Sequence, residues 1–261
     1  MSQNESLEAA LIAMEREADA TVRSISSALK EAKKVKVAAV NGQMRDLRAS
    51  MEATVRACEN ATDAAKGLQA SWSFDEQNHF GSGAYAKEVL ALASDEGVNV
   101  FESDDRILSY PAIVQVSASD CTVLIDKTKD RRSRPSVLVR LLRGLQSRPP
   151  KFKAEAFLES LAVGYDLVVA KTGSREGSVV KLVDVYAVLT VLPGLARDYT
   201  KQEFARDLYL LDQSGVVTTR NARELSLPAS ALTRGSGVLT TVSRSGQEKV
   251  YAGIALTASK R

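Results

Sequence analysis

The segment AAVNGQMRDL, residues 38–47, contains the only turn signal of the first 72 residues, Asn41-Gly42. On both sides of this turn, apolar or small residues recur in steps of three and four, the spacing of one face of a long helix. The stripe before the turn is Leu7, Leu11, Met14, Ala18, Val22, Ile25, Leu29 and Ala32. The stripe after it is Met44, Leu47, Met51, Val55, Cys58, Thr62, Ala65, Leu68 and Trp72.

Two long helices joined by a short turn predict an antiparallel helical hairpin, a coiled-coil-like arm over residues 1–72. At 1.5 Å per residue, each helix would be roughly 40 to 55 Å long. One uninterrupted helix is the alternative, since a single helical glycine costs only about 1 kcal/mol. The two stripes are expected to give only modest burial, so we expect the arm to associate with a protein partner or with itself.

Residues 84–175 predict a small α+β domain, which follows a polar joint at residues 71–83. Two strands are expected at 113–117 and 121–125. Pro135 fits the first turn of a helix whose apolar residues share one side. These are Val137, Leu138, Leu141, Leu142 and Leu145, whereas Arg140 and Arg143 lie on the opposite side. The chain as a whole therefore predicts an α+β protein.

Residues 178–261 predict a helix at 182–192, a second helix that begins at Thr200, and several short strands. Thr200 and Glu203 match a capping box, and Gly215 is a typical helix end. This order of elements resembles the winged-helix family. The resemblance implies that the capped helix recognises DNA through Lys201, Gln202 and Arg206, beside a wing near Arg220 and Arg223. The acids Glu203, Asp207 and Asp212 on the same helix point instead to a winged helix that binds protein.

The charge of the chain is concentrated in residues 127–153. The whole chain of 261 residues carries a net charge of +3, whereas this stretch has ten basic residues and one acid. Concentrated positive charge beside a helix start favours contact with phosphates. We therefore predict a nucleic-acid interface, with duplex DNA as the partner, at Lys127, Lys129, Arg131, Arg132, Arg134, Arg140, Arg143, Arg148, Lys151 and Lys153. The alternatives are a solvated basic face or a dock for an acidic protein surface.

Several classes of function have no support in the sequence. The start of the chain lacks the pattern of a secretory signal, no apolar run reaches the ~18 residues of a membrane span, and two distant cysteines suggest reduced thiols. These features predict a cytoplasmic protein without a membrane partner. The single histidine, His79, is expected to be exposed, and no cofactor or metal motif is present. Low aromatic content argues against stacking of single-stranded bases.

A metal-dependent nuclease is the one enzymatic hypothesis. Acids and lysines lie near predicted strand ends, at Glu102, Asp104, Asp105, Asp126, Lys127 and Lys129. Restriction-type nucleases place a lysine two residues after the acid, whereas here lysines follow Asp126 by one and three residues. The leading hypothesis is therefore a non-catalytic accessory protein that binds nucleic acid. The alternative is a structural or adaptor subunit of a larger protein complex without nucleic-acid contact.

Overall fold

The computed structural model describes residues 6–104, 106–147, 152–228 and 237–258. Two compact units are formed. Unit 1 contains the residues up to Glu88 together with Arg134–Ser136, and unit 2 contains Val89–Ser133 and the chain from Val137 onward. The predicted combination of a long helical N-terminal region with mixed helices and antiparallel strands is confirmed. The predicted boundaries near residues 72, 84, 175 and 178 stay predictions.

Unit 1 is built on two long antiparallel helices, α1 (Leu7–Val40) and α2 (Met44–Ser71). The chain reverses at Gly42, whose φ of 68° is the left-handed conformation that glycine adopts without strain. The Thr21 hydroxyl donates to the Ala64 carbonyl of the opposite helix at 3.3 Å. Two shorter helices follow, α3 (Glu76–Gly81) and α4 (Ala84–Asp95), and α4 continues into unit 2.

The face on which α1 packs agrees with the predicted apolar stripe at Leu7, Leu11, Met14 and Ala18, and departs from it after Ala18. The most buried positions of α1 are Leu7, Ala10, Thr21, Ala28 and Ala38, which also follow three-and-four spacing. Val22, Ile25 and Leu29 are more than half exposed, so the prediction that they form the packed stripe is wrong. Small side chains let the two helix backbones approach closely, and the larger side chains are left beside the contact.

The start of α1 is held by Glu88 of α4. One carboxylate oxygen of Glu88 accepts the Leu7 backbone N–H at 2.9 Å, and the other accepts the Glu8 N–H at 2.8 Å. His79 lies behind it, with Nε2 2.9 Å from Glu88 Oε2 but not directed as a hydrogen bond. The prediction that His79 is exposed is wrong, since only 9% of the residue is accessible. The polar joint folds as α3, and this helix carries the histidine into the interior of unit 1.

Unit 2 begins with an antiparallel sheet in which neighbouring strands are consecutive, in the order β1-β2-β3-β4-β5. The strands are β1 (Phe101–Ser103), β2 (Arg106–Ser109), β3 (Ala112–Ser117), β4 (Thr122–Ile125) and β5 (Thr128–Asp130). Helix α5 (Pro135–Ser147) follows, with Leu138, Val139 and Leu142 buried and Arg140 and Arg143 exposed. The predicted apolar side of this helix is therefore confirmed at Leu138 and Leu142, and Val139 extends it.

The rest of unit 2 combines four helices with two small sheets. The helices are α6 (Ala154–Thr172), α7 (Leu182–Leu189), α8 (Leu195–Asp198) and α9 (Lys201–Ser214). The strands β6 (Val180–Lys181), β7 (Arg223–Ser226) and β10 (Gly253–Ala258) form a sheet in the order β6-β10-β7, and β8 (Leu239–Val242) pairs with β9 (Glu248–Tyr251). The predicted capping box of Thr200 and Glu203 is confirmed, as is the end of α9 at Gly215.

The hydrophobic core of unit 2 lies among α6, α7, α9 and the strands around β10. Helices α6 and α7 touch closely at Gly164, where an added Cβ would lie 2.9 Å from Val185 Cγ1. Phe204 of α9 is fully buried and contacts the rings of Phe157, Tyr186 and Tyr199. This aromatic cluster fixes the position of α9.

Within the described ranges, no helix is long and apolar enough to cross a membrane. Neither cysteine forms a disulfide: Cys58 is exposed on α2, and Cys121 is partly buried before β4, where its thiol donates to the Ala118 carbonyl at 3.7 Å.

Candidate nucleic-acid interface

The ten predicted phosphate contacts lie on several different elements. Lys127 lies in the turn between β4 and β5, Lys129 on β5, and Arg140 and Arg143 on α5. Arg131, Arg132 and Arg134 lie in the segment before α5, and Lys153 is the residue that precedes α6. Arg148 and Lys151 lie outside the described residues. Arg134 belongs to unit 1, whereas the other described members belong to unit 2.

Three of these cations form exposed ion pairs within unit 2. Lys129 Nζ lies 2.6 Å from Asp120, Arg132 lies 2.7 Å from Asp130, and Arg143 pairs with Glu96. The hydrogen bond from the Arg132 side chain, together with its backbone N–H, holds the pKa of Asp130 below its ordinary value. Solvent screens exposed pairs of this kind. They reduce the local positive charge without contributing much to stability.

Arg134 is held more firmly, because it binds two carboxylates of α1. Its Nε donates to Glu8 at 2.8 Å and its Nη1 to Glu15 at 3.0 Å. Glu8 also accepts the backbone N–H and the hydroxyl of Ser136. Burial alone would raise the pKa of Glu8, but the hydrogen bonds from Ser136 and Arg134 outweigh it and lower that pKa. Arg134 therefore serves the structure of unit 1.

Four of the predicted cations are exposed and lie beyond ion-pair distance of every carboxylate in the described ranges: Lys127, Arg131, Arg140 and Lys153. None of their side chains takes part in a hydrogen bond to another described residue. These four, called the free cations below, are the part of the predicted interface that is ready to bind an anion.

Lys127 also borders a cleft of about 630 Å³ in unit 2, formed by β3, β4, the start of α9 and β8. Lys201 of α9 lies on the same cleft, and an ion pair between Arg106 and Glu248, at 2.9 Å, borders it as well. Asp126 lies on one wall, where its carboxylate accepts the Ile113 backbone N–H at 2.9 Å. The cleft thus combines two lysines, the Arg106–Glu248 ion pair and a partly buried acid.

Burial raises the pKa of Asp126 to about 6, although the hydrogen bond from Ile113 opposes the shift. The folded-state pKa lies above the ordinary value of 3.8, so the neutral acid favours folding below about pH 4 and this contribution is lost as the pH rises through 6. Two pKa units correspond to about 3 kcal/mol. Asp126→Asn keeps the acceptor for Ile113 without the charge, and asparagine tolerates the φ of 50° at this position.

We therefore expect Asp126→Asn to be more stable than the unsubstituted protein above pH 6, by about 2 to 3 kcal/mol, and equally stable near pH 4. Urea unfolding at intervals between pH 4 and pH 7.5 measures this difference. The exposed Asp95→Asn is the matched control and is expected to show no such dependence. A constant difference between Asp126→Asn and the unsubstituted protein at every pH would contradict the assignment.

The residues implied by the winged-helix resemblance are mostly bound to their own chain. The Gln202 amide donates to the Pro111 carbonyl at 3.4 Å, and Arg206 binds Asp207 at 2.8 Å. Arg223 forms two hydrogen bonds with Asp166, at 2.6 and 2.9 Å. Of the predicted side chains on α9, Lys201 is the one that is exposed without an ion pair in the described part of the chain.

Helix α9 is also covered along one side by the β8–β9 hairpin. The Tyr251 hydroxyl of β9 donates to Asp212 of α9 at 3.0 Å, and the Tyr209 hydroxyl accepts the Arg244 backbone N–H at 3.3 Å. Phe204, Leu208 and Leu211 are buried. A recognition helix must present a free side to the major groove. The contacts of α9 do not favour that mode.

The acids of the nuclease hypothesis do not form a metal site among the described residues. No group of three or more His, Cys, Asp or Glu side chains in those ranges could hold a metal ion. Asp105 lies outside them, and the Asp126 carboxylate is bound to Ile113. Metal-dependent cleavage gains no support from this arrangement and stays a prediction.

Comparison with protein-family models, with curated proteins and with solved structures found no match to this chain.

Proposed function

We propose that this protein is a non-catalytic accessory protein that binds the phosphate backbone of duplex DNA through the free cations. The observation that carries the proposal is that Lys127, Arg131, Arg140 and Lys153 are exposed without an ion pair in the described part of the chain. Contacts of this kind are sensitive to salt and largely independent of sequence. The ion-paired cations Lys129, Arg132 and Arg143 contribute less, since each already has a carboxylate partner.

We further propose that the C-terminal part of unit 2 is winged-helix-like. The support is the order of elements, in which α6, β6, α7, α9, β7 and β10 follow one another with the short α8 between α7 and α9. The last strand, β10, lies between β6 and β7 in the sheet. Because the β8–β9 hairpin covers α9, this unit contributes a rigid support and the cation Lys201 rather than a helix inserted into the major groove.

The proposal is tested by the salt dependence of binding to a 30-base-pair duplex of arbitrary sequence. We expect the logarithm of the association constant to fall with the logarithm of salt concentration with a slope of about −3 to −4, since each phosphate contact contributes about −0.9. Charge reversal at Lys127, Arg131 and Arg140 to glutamate is expected to weaken binding at least tenfold and to reduce the steepness of the slope by about 2 to 3.

The matched control reverses three exposed cations of unit 2 that lie outside the basic stretch, Lys171, Arg175 and Lys181. This control changes the net charge by the same amount, so a loss of binding that is equal in both variants would mean that only the overall charge matters. Binding that does not vary with salt, or a control as weak as the test variant, would overturn the proposal.

One observation favours the alternative function, a structural or adaptor subunit of a protein complex. Several large apolar side chains of α1 and α2 are exposed on the arm. A protein that assembles through these side chains and shows no salt-dependent binding of DNA would have this alternative function.

A further inference from the structure

The arm of unit 1 has an apolar face that the contact between its own helices leaves uncovered. Val22, Ile25 and Leu29 follow three-and-four spacing on α1, as do Met51, Val55 and Cys58 on α2. The first five are between 52% and 60% exposed, and Cys58 is exposed too. These six residues are called the apolar face below.

Both halves of the apolar face lie on the same side of the hairpin. Of the six residues, Ile25 and Cys58 line one groove together with Ala28 and Ala61, whereas Leu29 borders a second groove that also contains Val37. On each helix, the apolar face is reached by turning in the same direction around the helix from the residues that contact the other helix. Because the two helices run antiparallel, this direction leads to the same side of the hairpin on both. A contiguous apolar surface of this kind is typical of a protein interaction site.

The net charge of the arm also differs between its two halves. The Thr21–Ala64 contact divides it near the middle. The distal half, residues 23–62, contains eight basic and four acidic side chains, a net charge of +4. The helical residues of the proximal half, 7–22 and 63–71, contain two basic and five acidic side chains, a net charge of −3, and Arg134 reduces this to −2.

We propose that two copies of this chain associate through the apolar face with their arms antiparallel, to form a four-helix bundle. The α1 part of the face, residues 22–29, lies close to the midpoint of α1, which spans Leu7–Val40. Rotation about a two-fold axis through the face therefore places the same face of the second copy on it, and the two arms overlap along most of their length. Because five of the six residues of the face lie in the distal half, the same axis places the tip of each arm, residues 34–48 with a net charge of +3, beside residues 15–22 and 63–70 of the other copy, with a net charge of −2.

A parallel pair would place the two +4 halves side by side, and like charges held together oppose association. The available area also suits a pair of arms. A strip about 40 Å long across two helices, each about 10 Å in diameter, offers about 800 Å² per partner, which is the size of a stable interface. Two-fold symmetric pairing is the commonest arrangement of identical subunits. The proposed dimerisation of this chain does not depend on binding of nucleic acid.

The oligomeric state of the full chain, measured with a reducing agent present to prevent disulfide artefacts, tests the proposal. Sedimentation equilibrium is expected to show a dimer at micromolar concentration. The double variant Ile25→Glu with Val55→Glu is expected to raise the dissociation constant at least 100-fold. Both side chains are exposed, so the helical content measured by circular dichroism is expected to stay unchanged.

Val37→Glu is the matched control. Val37 is 56% exposed on the same helix but lies about 120° around it from Ile25, and its replacement is expected to leave the dimer intact. A monomer at about 100 micromolar would overturn the proposal, whether or not another protein binds the arm. A dimer that is insensitive to the Ile25 and Val55 substitutions would overturn it as well.

The orientation of the arms is tested separately with spin labels in a Cys58→Ala and Cys121→Ser background, which keeps a small apolar side chain on the face and is first shown to dimerise by sedimentation. One label is placed at the tip (Asn41→Cys) and another near the base (Ala70→Cys). In mixed dimers carrying one label each, the antiparallel arrangement is expected to give a tip-to-base distance below about 25 Å, whereas two tip labels lie about 40 Å apart. Short tip-to-tip distances would show a parallel dimer and overturn the proposal without affecting the proposed binding of DNA.

Discussion

Replacing Phe204 with alanine is expected to lower the free energy of unfolding of unit 2 by about 3 to 5 kcal/mol, the usual cost of removing a buried aromatic ring. Phe204 has no exposed surface, and its ring centroid lies 5.4 Å from Tyr186 and 5.9 Å from Phe157. The cavity would lie under α9, where three elements of the core meet. Relaxation there is restricted because the capping box and the β8–β9 hairpin hold the helix.

Urea unfolding followed by near-ultraviolet circular dichroism of the tyrosines measures this change, and hydrogen exchange of the α9 amides assigns it to unit 2. Leu192→Ala is the control, because Leu192 is 63% exposed and its truncation is expected to change the free energy of unfolding by less than about 0.5 kcal/mol. A Phe204→Ala protein within 1 kcal/mol of the unsubstituted one would show that the aromatic cluster does not support α9.

Replacing Glu88 with alanine is expected to lower the free energy of unfolding of unit 1 by about 3 kcal/mol or more. Glu88 accepts two backbone N–H groups at the start of α1, and each hydrogen bond to a charged group contributes about 1.5 to 3 kcal/mol. These N–H groups have no partner within the helix, and a negative charge near them also favours the helix dipole. Ser6 caps a third N–H, that of Ala9, and cannot replace the carboxylate.

Trp72 is the only tryptophan of the chain and belongs to unit 1, so its fluorescence during urea unfolding reports on this unit. Glu88→Gln keeps an acceptor without the charge and is expected to lower the free energy of unfolding of unit 1 about half as much as Glu88→Ala. The control is Glu52→Ala, since Glu52 is an exposed residue of α2 paired at 4.0 Å with Arg56. If Glu88→Ala and Glu52→Ala unfold at the same urea concentration, Glu88 does not anchor α1.

The two proposals concern different parts of the chain and fail independently. Binding of DNA depends on the free cations, all four of which lie in unit 2. Pairing of the arms depends on the apolar face of unit 1. If both proposals hold, a dimer carries twice as many free cations as a monomer. The fraction of a long duplex that is bound then rises more steeply with protein concentration than the fraction of a short duplex.

Local signals were enough to predict several elements from the sequence. Asn41-Gly42 between two periodic segments predicted the reversal of the arm, and Thr200 with Glu203 predicted the start of α9. The alternation of leucines and arginines after Pro135 predicted which side of α5 is buried. Each of these features depends on residues within about one helical turn or one loop, so the chain needs no distant partner to specify them.

Which charged residues form ion pairs, and which apolar residues are buried, depends on contacts between residues that are distant in the sequence. Arg134 meets Glu8 across 126 positions of the chain, and Arg143 meets Glu96 across 47, so no local pattern separates these cations from the free ones. His79 is buried because α3 and α4 bring it to Glu88. On the arm, the stripe with Ile25 and the stripe with Ala28 have the same period, and the sequence alone cannot choose between them. The two helices can approach closely only where their side chains are small, so the larger apolar side chains remain exposed outside the contact.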